Sequence, residues 1–195
     1  MPPGHVRIIG GHLRGSKLPV PDLPGLRPTA DRVRETLFNW LQGELAGARV
    51  LDLFAGTGAL GFEAASRGAA EVVLLERDAR LAQGLRDTAA RLGVATVRVE
   101  AADALAWLDR PPTTAFDVAF LDPPFAAGLW EACARGLDPW LAGAAWIYLE
   151  APASAHPPVP ASWREHRRGA TRKVAYALYR REVAGTLANE PGEDV

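Results

Sequence analysis

The sequence predicts an α/β protein built on a mostly parallel sheet with helices on both faces. Two observations carry this. Short apolar runs suited to buried strands alternate with stretches of helical period from Val50 to Leu149. The first of those runs also opens directly into a glycine-rich turn, the join of a strand to a crossover helix.

The elements follow in order. Val6 to Gly11 and Lys17 to Val20 read as a short hairpin with a Gly-rich connection, and Pro21 to Pro28 as loop. Thr29 is suited to cap a helix whose apolar face is Val33, Leu37, Phe38, Trp40 and Leu41, running to about Leu45. Val50 to Phe54 is a buried strand, followed by a helix from about Leu60 to Arg67. Glu71 to Glu76 is the next strand and Ala79 to Leu92 the next helix; Thr96 to Glu100 is followed by a short helix near Ala104 to Leu108. Phe116 to Leu121 is a strand, roughly Gly128 to Leu141 a helix, and Ala145 to Leu149 a further strand. After the Pro-rich stretch Pro152 to Pro160, Trp163 to Arg168 and Lys173 to Arg180 form two extended segments around Gly169, an antiparallel hairpin that closes the sheet. The chain thus divides into a hairpin and loop over 1–28, an α/β domain over 29–183, and a small, polar, acidic tail over 184–195 expected to fray.

Composition narrows the classes. The 195 residues are 48% hydrophobic and 23% charged, which suits a globular chain able to bury a real core. No apolar run reaches the length of a membrane span, and no signal peptide opens the chain. Cys133 is the single cysteine, and the histidines (His5, His12, His156, His166) show no ligand spacing, so a soluble, cytoplasmic, metal-free monomer is expected. Net charge is −1, yet residues 1–34 hold six basic side chains against two acids, and residues 163–181 hold seven against one. Two basic ends around an acidic centre suit a polyanion laid across the edge of a domain whose pocket holds a cation. Solvated surface faces are the competing reading.

The pocket starts at Asp52-Leu53-Phe54-Ala55-Gly56-Thr57-Gly58-Ala59-Leu60-Gly61. Glycines there admit a ligand close to the backbone, and Glu76, ending the next strand, is placed to bind ribose hydroxyls. Asp52 decides the ligand's charge. A carboxylate just ahead of the glycines repels a pyrophosphate and attracts an ammonium and a sulfonium, which describes S-adenosylmethionine. Asp103, after the third strand of the alternation, suits the adenine amino group, a helix cap, or both. Asp122-Pro123-Pro124-Phe125 follows the fourth. Its prolines stiffen the turn and leave carbonyls free to accept; Asp122 adds an acceptor and Phe125 a stacking face for a nucleobase. Taken alone, the tetrapeptide also fits a rigid loop with Asp122 capping the next helix.

Asp52-x-Phe54-x-Gly56-x-Gly58 followed by Asp122-Pro123-Pro124-Phe125 resembles the class I, Rossmann-like methyltransferases that modify exocyclic amino groups of nucleobases. A fuller resemblance, to the RsmD family, covers nearly the whole chain. Its most specific block is Arg27 to Leu41, joined by Arg7 to Gly11, Leu51 to Gly61, Ser66 to Ala69, Phe120 to Phe125, Ile147 to Glu150 and Tyr176 to Arg181. The resemblance implies a seven-stranded class I sheet, S-adenosylmethionine as cofactor, and methylation of N2 of one guanine in 16S ribosomal RNA within an assembled or assembling small subunit. It implies Asp122, Pro123, Pro124 and Phe125 as the catalytic clamp, and Thr29, Asp52, Phe54, Gly56, Gly58, Glu76, Asp103 and Asp122 around the cofactor. Candidate phosphate contacts are Arg7, Arg14, Lys17, Arg27, Arg32, Arg34, Arg167, Arg168, Arg172 and Lys173. Ser16, Thr57 and Thr88 depart from the family pattern without touching the chemistry. Rival readings are a DNA adenine-N6 methyltransferase, for which the chain has no spare target-recognition segment, a nicotinamide dehydrogenase, disfavoured by Asp52, and a non-catalytic RNA-binding protein, which leaves the clamp unexplained.

Overall fold

The computed structural model describes residues 4–21 and 31–182. A two-stranded antiparallel sheet of β1 (Gly4–Arg7) and β2 (Lys17–Val20) precedes α1 (Asp31–Trp40). There follow β3 (Arg49–Asp52), α2 (Ala59–Ser66), β4 (Glu71–Glu76), α3 (Ala79–Leu92), β5 (Val97–Ala101) and α4 (Ala104–Leu108). The chain closes with β6 (Phe116–Leu121), α5 (Trp130–Leu137), β7 (Leu141–Pro152), β8 (Trp163–Ala170) and β9 (Val174–Arg181). β3 to β9 form one sheet in the order β5-β4-β3-β6-β7-β9-β8. The first five of these are parallel, and β9 lies antiparallel between β7 and β8. This is the mostly parallel seven-stranded sheet with a closing hairpin that the sequence predicts.

The strands are buried on both faces because their apolar residues are continuous rather than alternating. In β4, Val72 and Leu74 enter one core while Val73 and Leu75 enter the other. The first core is covered by α1, α2, α3 and the N-terminal sheet, through Leu37, Phe38, Phe62, Leu85 and Leu18. The second is covered by α4 and α5, where Trp107 and Trp140 stack with ring centroids 4.1 Å apart. Each large apolar side chain so covered stabilises the fold by roughly 1.5–3 kcal/mol.

Helix ends follow local chemistry. Asp78 caps α3, accepting from Arg80 N at 2.8 Å and Leu81 N at 3.2 Å, and these N–H groups hold its carboxyl below the usual range. Gly61 lets α2 lie close on β4: a Cβ there would fall 2.1 Å from the Leu74 side chain.

Several boundaries differ from the sequence reading; the first strand, read as Val6 to Gly11, is Gly4–Arg7, and the strand read as Val50 to Phe54 ends at Asp52. α1 stops at Trp40 and passes into turns. α5 begins at Trp130 and ends at Leu137, because Pro139 sits in a separate 3₁₀ turn, Asp138–Trp140, and cannot continue the helix's hydrogen bonding. β7 is longer than its apolar centre, since pairing with β6 recruits Leu141 and pairing with β9 recruits Pro152. Thr29, Arg27 and the tail 184–195 lie outside the described residues. No described helix is long and apolar enough to cross a membrane.

Candidate active site

The parallel strands β5, β4, β3 and β6 are neighbours, so their carboxyl ends share one edge of the sheet. The four acids singled out in the sequence end or closely follow those strands. The edge is where open α/β sheets bind ligands.

Asp52 ends β3 and is 3% exposed. Burial pushes its carboxyl up to about 7, opposed by the backbone N–H groups of Phe54 and Gly61 and aided by the nearby Glu76 charge. The folded value lies above the ordinary 3.8, so Asp52 takes up a proton on folding. Its contribution to stability therefore declines as pH rises from about 4 through about 7. A cationic ligand beside Asp52 favours the carboxylate and releases that proton. Affinity for a sulfonium ligand is thus expected to rise with pH below 7, by up to about tenfold per unit, and to level off above it. Calorimetric titrations of wild type and Asp52→Asn check this; the variant should show a flat profile.

The glycine turn is built around Glu76. Its Oε2 accepts from Gly56 N at 3.0 Å and its Oε1 from Asp78 N at 2.8 Å, so the carboxylate at the end of β4 also fixes the turn after β3. Gly58 opens α2 with φ 75°, and a Cβ there would meet Phe62 and Leu85 within 2.7 Å, so both conformation and space demand glycine. Phe54 is partly buried beside the second core. Asp103 caps α4 through Leu105 N at 3.0 Å and Ala106 N at 3.2 Å, taking both from one oxygen. Its other oxygen remains suited to an amino group.

This donor set fits a nucleoside bearing positive charge. The Gly56 N–H, which a pyrophosphate would need, already serves a carboxylate, and a second carboxylate lies behind it. Among the described residues, no group of three or more His, Cys, Asp or Glu side chains could hold a metal.

Asp122 directly follows β6 and does not cap a helix: Pro124 precedes the 3₁₀ turn Phe125–Ala127 without a side-chain cap. Phe125 is 38% exposed, the one large hydrophobic side chain so exposed among the described residues. Its ring lies 6.0 Å from that of Trp130, which supports it from one side.

The expected phosphate contacts divide. Arg7, Arg14, Lys17, Arg32, Arg167, Arg168, Arg172 and Lys173 are exposed. Arg34 is a correction: it is fully buried and donates to Arg7 O at 3.0 Å and to Asp31 at 2.7 Å, so it presents no surface to a phosphate. Arg168 is engaged with Glu165. Arg172 and Lys173 lie in the turn between β8 and β9, and Ala175 pairs with Ala151 beyond Leu149, which places that turn at the carboxyl edge. Arg180 lies at the opposite end, in a cleft of about 300 Å³ with Glu44, Asp117 and Trp146 that is remote from the four acids.

Sequence reasoning missed the device that docks the N-terminal hairpin. Glu63 is fully buried in α2, and its oxygens accept from Ile9 N at 2.7 Å, Gly10 N at 2.8 Å and Arg67 Nε at 2.8 Å. One turn on, Ser66 Oγ donates to Gly10 O at 2.6 Å and accepts from Leu13 N at 2.9 Å. A charged residue inside the wholly buried run Ala59–Ser66 was the available signal.

The "Conserved hypothetical protein 95" family model matches residues 6–180. The chain is 49% identical over 185 residues to the ribosomal RNA small subunit methyltransferase D of Escherichia coli K12, covering 93% of each chain. The protein of the same name from Haemophilus influenzae is 42% identical over 181 residues, covering 90% of this chain and 94% of that one. A solved putative methyltransferase from Escherichia coli superposes with a TM-score of 0.86 at 46% identity, over 92% of this chain and 99% of that one. An RNA methyltransferase from Salinibacter ruber, solved with S-adenosyl-L-homocysteine, shares the fold at a TM-score of 0.61 and 18% identity, over 86% of this chain and 98% of that one. With the class I strand order, the glycine turn and the Asp122–Phe125 turn in place, the chain belongs to this family, the RsmD family of Rossmann-like methyltransferases.

Proposed function

We propose that the protein transfers a methyl group from S-adenosylmethionine to the exocyclic N2 of one guanine in 16S ribosomal RNA, acting as a monomer on an assembled or assembling small subunit. The observation that carries this reading is the exposed Phe125 ring, set one rigid turn beyond Asp122 at the acid-lined edge of the sheet. A stiff turn that offers an acceptor and an open aromatic face suits an extruded base with an amino group. The names of the relatives support RNA of the small subunit as the substrate.

Asp52, Glu76 and Asp103 would hold the cofactor through its charged end, ribose hydroxyls and adenine amino group respectively. When bound, the cofactor supplies an electrophilic methyl on a sulfonium, a reactive centre that needs positioning more than strong acid or base. The chain's own residues address the nucleophile, whose lone pair is delocalised into the base. Asp122 and the Pro123 carbonyl accept hydrogen bonds from the two N2 hydrogens and favour a pyramidal nitrogen, and the one proton that N2 loses on methylation passes to Asp122 or through it to water. Phe125 holds the base plane by stacking.

Labelled methyl transfer offered to small ribosomal subunits, naked 16S RNA and duplex DNA tests the reading. Transfer to the subunit is expected; transfer to DNA alone overturns it. The placement of the basic side chains adds an expectation for RNA affinity. Charge reversal at Arg172 and Lys173, at the same edge of the sheet as the clamp, should weaken RNA binding about tenfold or more and flatten its salt dependence, whereas reversal at Arg164, which pairs with Arg180 at the far end, should change it little. Filter binding across a salt series checks both.

A further inference from the structure

β6 and β7 are parallel neighbours with Leu121 beside Leu149, so Asp122 leaves the sheet next to Glu150. Glu150 is 7% exposed, a costly position for a carboxylate unless it is held. The Tyr148 hydroxyl holds the carboxyl, and the backbone carbonyl of the same residue takes a second hydrogen bond; each leads toward one half of the clamp.

Its side chain accepts from the Tyr148 hydroxyl at 2.8 Å. Tyr148 is fully buried, packs edge-on against Phe120 with centroids 6.4 Å apart, and lies within electrostatic reach of Asp122. The Glu150 backbone carbonyl accepts from Trp130 Nε1 at 2.8 Å, and Trp130 is the ring that supports Phe125. β9 closes the other side, where Tyr176 pairs with Glu150 in register and its ring lies 6.5 Å from that of Tyr148. The pair thus sits between β6 and β9, close to Asp122 across the β6–β7 pairing and linked to Phe125 by way of Trp130.

We propose that Glu150 is a positioning residue for methyl transfer. Through Tyr148 it fixes the surroundings of the acceptor carboxylate Asp122. Through its backbone carbonyl and Trp130, the same position on β7 fixes the stacking ring Phe125. One buried residue therefore sets the separation between the two halves of the base clamp. The inference rests on the clamp reading given above. Its magnitude follows from the sensitivity of transfer reactions to geometry, where a displacement of about 1 Å far from the chemistry can cost about 10²-fold.

The test is single-turnover methyl transfer to small ribosomal subunits, with cofactor affinity by calorimetry and thermal unfolding measured on the same proteins. Glu150→Ala is expected to slow transfer by roughly 10–100-fold while cofactor Kd stays within a few-fold. Both variants keep the backbone carbonyl, but Glu150→Gln also retains an oxygen that accepts from Tyr148, so it should keep most of the rate. Trp130→Phe keeps an aromatic ring but lacks the N–H donor, and should slow transfer several-fold without loss of cofactor affinity. The Trp130 indole N–H resonance should remain in its hydrogen-bonded position in both Glu150 variants, since its acceptor is the backbone carbonyl.

Wild-type rates in Glu150→Ala or Trp130→Phe overturn the proposal, as does a Glu150→Gln variant as slow as Glu150→Ala. So do losses in all variants that merely follow reduced folding or cofactor binding. Failure of the underlying reading would look different: an Asp122→Ala variant that still turns over, or a wild-type product modified elsewhere than at guanine N2, whichever way the Glu150 variants behave.

Discussion

Asp122→Ala is expected to reduce methyl transfer by at least 10²–10³-fold, on the order of what single acid–base or electrostatic groups contribute. Affinity for S-adenosylmethionine should stay within a few-fold. The split arises because Asp122 belongs to the turn after β6, whereas Asp52, Glu76 and Asp103 follow three other strands and would carry the cofactor. Asp122→Asn retains one acceptor oxygen and should fall between the two. Single-turnover rates together with calorimetric cofactor binding separate the outcomes. Wild-type turnover in the alanine variant would remove the clamp from the mechanism.

Glu63→Ala carries the largest expected effect on stability. The substitution leaves the Ile9 and Gly10 N–H groups without their acceptor, and it strips Arg34 and Arg67 of a buried counter-charge, at 4.0 Å and 2.8 Å respectively. Removing one member of a buried ionic network costs about 3–5 kcal/mol. For a chain of this length that lowers Tm by on the order of 10 °C. The loss should be local in its consequences. The hairpin bearing Arg7, Arg14 and Lys17 is the part that Glu63 docks, so RNA affinity should fall further than cofactor affinity. Thermal unfolding, with limited proteolysis near Gly11, checks the prediction; an unchanged Tm would show that the network is dispensable.

The layout of the sheet was legible because its central strands are buried on both faces and therefore carry unbroken apolar runs. β4 and β6, and the helices α3 and α4, fall where the pattern puts them, each bounded by a cap or a charged end. Boundaries failed where tertiary pairing or backbone geometry outweighed local pattern. Gly143 and Ala144 carry little strand preference, yet they lie inside β7 because both flanks of that strand are paired. Asp138-Pro139-Trp140 has the period of a helix that proline cannot complete.

The site was legible to the extent that its residues lie at strand ends, where position along the chain becomes position along one edge. Arg34 shows the limit. In sequence it stands two residues from the exposed Arg32 in one basic block, and only packing reveals that it points into the protein. Two buried N–H-bearing atoms of Arg34, Nε and Nη1, have no hydrogen-bond partner among the described residues, which makes its contact with Glu63 the more important. Glu63 and Glu150 are the complementary case. Each is a lone acid in an apolar segment, and its partners are backbone groups or side chains that local pattern does not identify.

In the proposed function, the Asp122–Phe125 turn presents a guanine amino group to a methyl donor. A mass-spectrometric map of 16S ribosomal RNA tests it most directly, after incubation of unmodified small subunits with the purified protein and S-adenosylmethionine. The expected result is a single new N2-methylguanosine, absent with Asp122→Ala. Methylation on a ring nitrogen, on a ribose or on adenine would contradict the account.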